Sequence, residues 1–118
     1  MYSIKVEEHF SAAHNLRGYR GKCEELHGHN WKVEAVVSCD KLDKTGMAMD
    51  FKHLKAALNK ILEKLDHKYL NGISYFKKAN PTSENIASYI YERLKPQVKA
   101  LSAITVWESE NACATYSE

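Results

Sequence analysis

Cys23-Glu24-Glu25-Leu26-His27-Gly28-His29-Asn30-Trp31-Lys32-Val33-Glu34-Ala35-Val36-Val37-Ser38-Cys39 is the stretch on which the reading of this chain turns. Its second half alternates. Trp31, Val33, Ala35 and Val37 share one parity, as in a strand with one covered face. His27 and His29 precede them two positions apart, so on the same strand both imidazoles project to one side and toward one point. A thiol stands four residues ahead of the first. Two convergent imidazoles are most of a transition-metal site, and the rest of the chain is searched for the third.

Upstream, residues 2 to 14 read as a long strand: Ile4, Val6 and Phe10-Ser11-Ala12-Ala13-His14 follow one another without Gly or Pro. Residues 15 to 22 form an irregular loop with two glycines and three cations. An antiparallel return of strand 27–39 against strand 2–14 brings His14 beside His27 and His29. Three imidazoles leave the fourth zinc position open, the arrangement of catalytic rather than structural zinc. The plainer alternative is three polar residues at strand ends. His9 has the wrong parity to join them, and His53 falls in the first turn of a helix.

Downstream, residues 40 to 46 are rich in turn formers. Met47-Ala48-Met49 is a short extended piece leading to Asp50, a helix N-cap. Phe51, Leu54, Leu58, Ile61, Leu62 and Leu65 then recur at helical spacing as one buried stripe, ending near Asp66-His67. Residues 68 to 76 read as a connecting loop. Asn80-Pro81-Thr82-Ser83-Glu84-Asn85 starts a second helix carrying Ile86, Ile90 and Leu94, which Pro96 ends. Residues 102–108 and 112–116 close the chain as a hairpin. The order β-β-α-α-β-β predicts an α+β domain over residues 1–118, with a four-stranded antiparallel sheet and two helices on one face.

Composition agrees with one globular domain: 118 residues, 44% apolar and 27% charged. A net charge of +2 from 17 basic and 15 acidic side chains is too dispersed to argue for nucleic acid or a membrane surface. The first residues carry charges where a secretion signal needs an apolar run, and no segment approaches a membrane span. Three unpatterned cysteines suit a cytoplasmic chain with reduced thiols.

Three further groups could carry chemistry. Cys23 lies in a loop where cations favour the thiolate and Glu24 and Glu25 oppose it; it is either reactive or an inert loop thiol. Asp66-His67 is either a carboxylate-oriented imidazole for proton transfer or a surface pair at a helix end. Glu108 closes an otherwise apolar strand. It either faces water or accepts two parallel N–H bonds from an amidine-like ligand edge.

Taken together, Phe10-Ser11-Ala12-Ala13-His14, Cys23-x-x-x-His27-Gly28-His29-Asn30, Met49-Asp50-Phe51, Leu65-Asp66-His67-x-x-Leu70-Asn71, Asn80 to Asn85 and Val106-Trp107-Glu108 resemble the 6-pyruvoyltetrahydropterin synthase family, in its order and over nearly the whole chain. The Cys-x-x-x-His spacing is similar to its 6-carboxytetrahydropterin synthase branch, which serves queuosine biosynthesis. The resemblance implies the tunnelling fold (T-fold), with sheets joined edge to edge into an oligomeric barrel. It also implies a hexamer of two stacked trimers with sites at subunit interfaces. By the same resemblance Zn2+ falls to His14, His27 and His29, and catalysis to Cys23, Asp66 and His67. Glu108 would anchor the pterin, with Thr82 and Ser83 against its ring. The implied reaction is a lyase conversion of 7,8-dihydroneopterin triphosphate to 6-carboxy-5,6,7,8-tetrahydropterin, acetaldehyde and triphosphate. Elimination with the three-carbon side chain retained is the first alternative. A non-catalytic zinc protein with Cys23 as fourth ligand and a thiol-independent zinc hydrolase follow. In relatives where a glutamate takes the cysteine's role the products are aldol-type, which raises the same question of Glu24 and Glu25.

Overall fold

The computed structural model describes all 118 residues. Two 13-residue strands, β1 (Tyr2–His14) and β2 (His27–Cys39), pair antiparallel in unbroken register from Tyr2 opposite Cys39 to His14 opposite His27. Strand β4 (Leu101–Ser109) adds to the other side of β2, and β5 (Ala112–Ser117) adds to β4. The even residues of β1, the odd residues of β2 and the even residues of β4 all turn toward the helices. Val6, Phe10, Trp31, Val33, Ala35, Ile104 and Val106 are buried there.

Helix α1 (Phe51–Leu62) begins where the Asp50 carboxylate accepts the Lys52 N–H. It buries Leu54, Leu58, Ile61 and Leu62. Phe51 departs from the predicted stripe and is 54% exposed, lining a shallow apolar cleft with Leu42 and Met47. Helix α3 (Ser83–Leu94) is capped by Thr82, whose hydroxyl accepts the Asn85 N–H, and packs Ile86, Ile90 and Leu94 into the same core. Both helices lie on one face of the sheet, so the α+β arrangement stands.

Two details differ from the sequence expectation. The segment after α1 is more than a connecting loop. Lys68–Tyr69 forms a two-residue strand, β3, parallel to β1 at Ala12 and Ala13, and Ser74–Lys78 forms a short helix, α2. The sheet therefore has five strands in the order β3-β1-β2-β4-β5. Neither piece has enough residues to show a period, which is why alternation could not reveal them. The first helix also stops at Leu62, and residues 63–67 are turns ending at His67, whose backbone is left-handed with φ 56°.

Candidate metal and catalytic site

The β1–β2 register builds the centre. His14 lies directly opposite His27, and His29 follows on the same face opposite Ala12. The three rings meet edge to face with centroids 4.5 to 5.3 Å apart, and two of them, His14 and His29, rest on the fully buried indole of Trp31. Trp31 is itself fixed by donating its N–H to the Ala12 carbonyl.

The tautomers follow from the partners. His14 Nδ1 lies 2.7 Å from the Pro81 carbonyl and His27 Nδ1 lies 2.7 Å from the Glu25 carbonyl. A carbonyl can only accept, so each Nδ1 carries the proton and, in the neutral ring, each Nε2 presents a lone pair. Those two Nε2 atoms face each other at 2.9 Å. Two lone pairs at that distance repel unless a cation lies between them. Backbone carbonyls behind the imidazoles are the support that metal-bound histidines require.

His29 supplies the third nitrogen. Its Nε2 is buried and makes no hydrogen bond, although Glu108 Oε1 lies 3.0 Å away. The separation is that of an ion pair, but the direction of approach is not that of a hydrogen bond. Burial lowers the pKa of both His14 and His29, outweighing chiefly the Pro81 carbonyl at His14 and the Glu108 charge at His29, so both rings favour the neutral form. One ligand atom from each of His14, His27, His29 and Glu108 lies within 4.8 Å of all the others. The donor set of three imidazoles and a carboxylate suits zinc. The Cys23 sulfur is outside that group, so the closed site of one thiolate and three imidazoles is not what these side chains build.

Cys23 instead stands in the wall of a cleft of about 400 Å³ that opens onto the imidazoles, together with Lys22, Glu25, His27, His29 and Glu108. Its loop is tied down where Leu16 N–H donates to the Cys23 carbonyl. Arg17 is engaged elsewhere: its guanidinium donates to the Phe76 carbonyl, and its backbone exchanges two hydrogen bonds with the Asn80 side chain. Of the other loop cations, Lys22 lines the cleft and Arg20 is exposed.

Asp66 and His67 are paired, with Asp66 Oδ2 3.0 Å from His67 Nδ1. The pair is clamped to the edge of β1. Ser11 N–H donates to Asp66 Oδ1, which holds that carboxyl below its usual pKa, and the His67 N–H donates to the Ser11 carbonyl. The His67 ring is 82% exposed. It borders a second cavity, of about 520 Å³, with Ser11, Ala13, Asn30 and Tyr69, and Cys23 is not among its walls. Within one chain His67 and the thiol line different cavities, and His29 borders both.

Thr82 and Ser83 lie at the start of α3, immediately after the Pro81 carbonyl that holds His14. Ser83 is buried and Thr82 is half-buried. Sequence reasoning missed the part played by Pro81, because a backbone carbonyl leaves no residue signature. It also missed the nearness of Glu108 to His29, which depends on how β4 pairs with β2.

The chain is matched over residues 3–118 by the protein family described as 6-pyruvoyl tetrahydropterin synthase. It is 39% identical to the 6-carboxy-5,6,7,8-tetrahydropterin synthase of Synechocystis, covering 98% of this chain and 93% of that one. It is 38% identical to the dihydroneopterin monophosphate aldolase of Pyrococcus furiosus, over 84% of this chain and 82% of the other. The solved structure of 6-pyruvoyl tetrahydropterin synthase from Caenorhabditis elegans superposes with a TM-score of 0.89 at 30% identity, over 99% of this chain and 95% of that one.

Proposed function

The chain belongs to the 6-pyruvoyl tetrahydropterin synthase family, and from that premise we propose that it is a zinc-dependent lyase acting on 7,8-dihydroneopterin triphosphate. The products would be 6-carboxy-5,6,7,8-tetrahydropterin, acetaldehyde and triphosphate, made in the cytoplasm for queuosine biosynthesis. The observation that carries the reading is the pair of imidazole Nε2 atoms 2.9 Å apart, each ring backed at Nδ1 by a carbonyl, beside a cleft that holds a cysteine. The 39% identity to a synthase of that name favours the carboxylate product.

His14, His27 and His29 would hold the zinc, which supplies Lewis acidity toward the side-chain hydroxyl oxygens of the substrate. Glu108 would accept the 2-amino and ring N–H edge of the pterin as a two-point fork. Thr82 and Ser83 would border the ring. The Cys23 thiolate would take a carbon-bound proton, and His67, held in one orientation by Asp66, would pass protons in the rearrangement. The side-chain carbon next to the ring is oxidised while the ring C=N bond is reduced, so no outside redox partner enters; one water is consumed and balances the release of acetaldehyde and triphosphate from the carboxylate product.

Because His67 and Cys23 border different cavities of one chain, the dyad would serve the cysteine of a neighbouring subunit. The sheet supports such an assembly. β3 covers β1 only at Ala12 and Ala13, and no strand pairs with the outer side of β5. Unpaired strand edges are removed when sheets join into a ring. We place the assembly as a hexamer of two trimers.

Incubation of the zinc-loaded protein with 7,8-dihydroneopterin triphosphate, followed by mass spectrometry, tests the reading. A carboxypterin with acetaldehyde is expected, whereas a retained three-carbon side chain would assign the pyruvoyl-forming reaction. An aldolase side activity has its own support, since Glu25 shares the cleft with Cys23 and the Pyrococcus furiosus relative bears an aldolase name. A 6-hydroxymethyl product that survives Cys23→Ala would establish it, and silence of that variant would end it.

A further inference from the structure

We infer that Asn71 and Asn80 are positioning residues for the Cys23 thiol, acting through the tripeptide Asn15-Leu16-Arg17. The inference rests on the role proposed for that thiol and adds the means by which an irregular loop holds it still. Residues 15–21 include two glycines and contain neither helix nor strand, so the path from His14 toward Cys23 has no ladder of its own. Side-chain amides stand in for one. Asn71 accepts the Asn15 N–H through Oδ1 at 2.9 Å and donates to the Asn15 carbonyl through Nδ2 at 2.8 Å. Asn80 does the same to Arg17, accepting its N–H at 3.0 Å and donating to its carbonyl at 2.8 Å. Each asparagine therefore meets both polar groups of one backbone residue, as a neighbouring strand does at a hydrogen-bonded pair. An amide of this length offers an acceptor and a donor together; ionised aspartate lacks the donor, and alanine lacks both.

The two clasped residues flank Leu16, whose N–H donates to the Cys23 carbonyl at 2.8 Å. The backbone that carries the thiol is thus tied to the middle of a tripeptide fixed on both sides. Two further bonds tighten it: the Tyr69 hydroxyl donates to Asn15 Oδ1, and the Arg17 guanidinium donates to the Phe76 carbonyl. The asparagines come from different places. Asn71 is buried just after β3, on the segment that carries Asp66 and His67, and Asn80 precedes Pro81, whose carbonyl backs His14. The segment of the dyad, the turn behind the metal ligand and the loop of the thiol therefore meet at residues 15–17.

A group that takes a carbon-bound proton must stand in one place relative to the imidazoles, and a misplacement of about 1 Å costs about 10²-fold in rate. Asn80→Ala removes one clasp. It spares the Asn80 carbonyl, which accepts from the Thr82 N–H and the Asn85 amide, so the turn behind His14 stays formed.

In the zinc-loaded variant, kcat for pterin formation should fall by about 10- to 100-fold while KM changes by less than about threefold. Zinc content should be unchanged. Alkylation by iodoacetamide is followed cysteine by cysteine with peptide mass spectrometry. It should be about fivefold or more faster at Cys23 and unaltered at Cys39 and Cys113. General destabilisation would accelerate all three and overturn the inference, as would a Cys23 rate equal to that of the parent. Loss of zinc with an unmoved Cys23 would place the effect at His14 and overturn it too. Asn71→Asp keeps the volume and the acceptor but loses the donor, and it should give the same selective alkylation; a parental Cys23 rate overturns the assignment of Asn71. Should neither variant fold, amide exchange in the parent protein decides. Protection of the Leu16 N–H comparable to β1 supports the clasp, and exchange as fast as an open loop overturns it. Alkylation and exchange need no substrate, so a parent protein that makes no pterin product leaves them standing, while unaltered alkylation leaves the pterin chemistry intact.

Discussion

The imidazole cluster and the Asp66–His67 pair are both built on the same end of β1, yet they are finished to different degrees. The cluster is enclosed: His14 is 1% exposed, its ring is backed by a carbonyl, and its partners come from the adjoining strand of the same chain. The pair is open: His67 is 82% exposed, its left-handed backbone donates one hydrogen bond to the Ser11 carbonyl, and the Ser11 N–H donates to the Asp66 carboxylate. Metal binding is thus a property the single chain can complete, whereas proton transfer is presented outward for something else to meet. Backbone strain at the exposed half fits a fixed posture kept for function.

The largest effect is expected from removing an imidazole from the enclosed half. Changing a residue behind a metal ligand costs about 10–100-fold in affinity. His27→Ala, which removes a ligand itself, should cost more than about 100-fold. Zinc per chain, measured by plasma emission after dialysis against a weak chelator, should fall to background. Retention of full zinc would break the comparison at its root.

Next comes the open half. Cys23→Ala and His67→Ala should each lower turnover by about 10²–10⁴-fold, the range for loss of a general acid or base. Mixed and reassembled with each other, the two inactive proteins should regain a measurable fraction of activity, because some interfaces then carry both intact groups. No recovery in verified mixed oligomers would show that thiol and dyad act within one chain.

Thr82→Ala probes what joins α3 to the metal ligands. Loss of the cap should destabilise the fold by about 1 kcal/mol. A lowering of the melting temperature by a few degrees in calorimetry is expected. Zinc affinity should weaken modestly as the Pro81 carbonyl behind His14 loosens. An unchanged melting temperature would argue that α3 is held by its apolar face alone.

The smallest effect is on pH. His14 and His29 have pKa values below the ordinary 6.5 because burial penalises their charge. Below that pH the unfolded chain binds protons that the folded apoprotein resists, so stability is undiminished above about pH 6.5 and declines as pH falls beneath it. Bound zinc should hold the same transition to lower pH, and melting curves of both forms between pH 7.5 and 5 would show it.

Much of this was legible in the residues. Alternation in 27–39 and the uninterrupted run in 2–14 gave both long strands to the residue, because a strand with one covered face repeats its parity over many positions. The meeting of His14 with His27 and His29 was an inference about register, and a hairpin with one buried face has little freedom to slip. Other features left no periodic trace. β3 is two residues long, α2 is five, and Phe51 kept helical spacing while remaining exposed. The placement of Glu108 depends on a bulge that spacing within β4 does not encode. The separate cavities of Cys23 and His67 follow from how residues 63–69 fold back onto β1, which is tertiary and invisible to any local pattern.

Trp31 has a use beyond packing. Its indole lies with its ring centre 5.0 Å from that of His14 and 5.1 Å from that of His29, and it is one of only two tryptophans in the chain. A paramagnetic ion gripped by those imidazoles would quench its emission by contact-range coupling more strongly than that of Trp107, which lies on the opposite face beside Lys32. The protein thereby carries a native optical gauge of its own loading, readable without label or substrate.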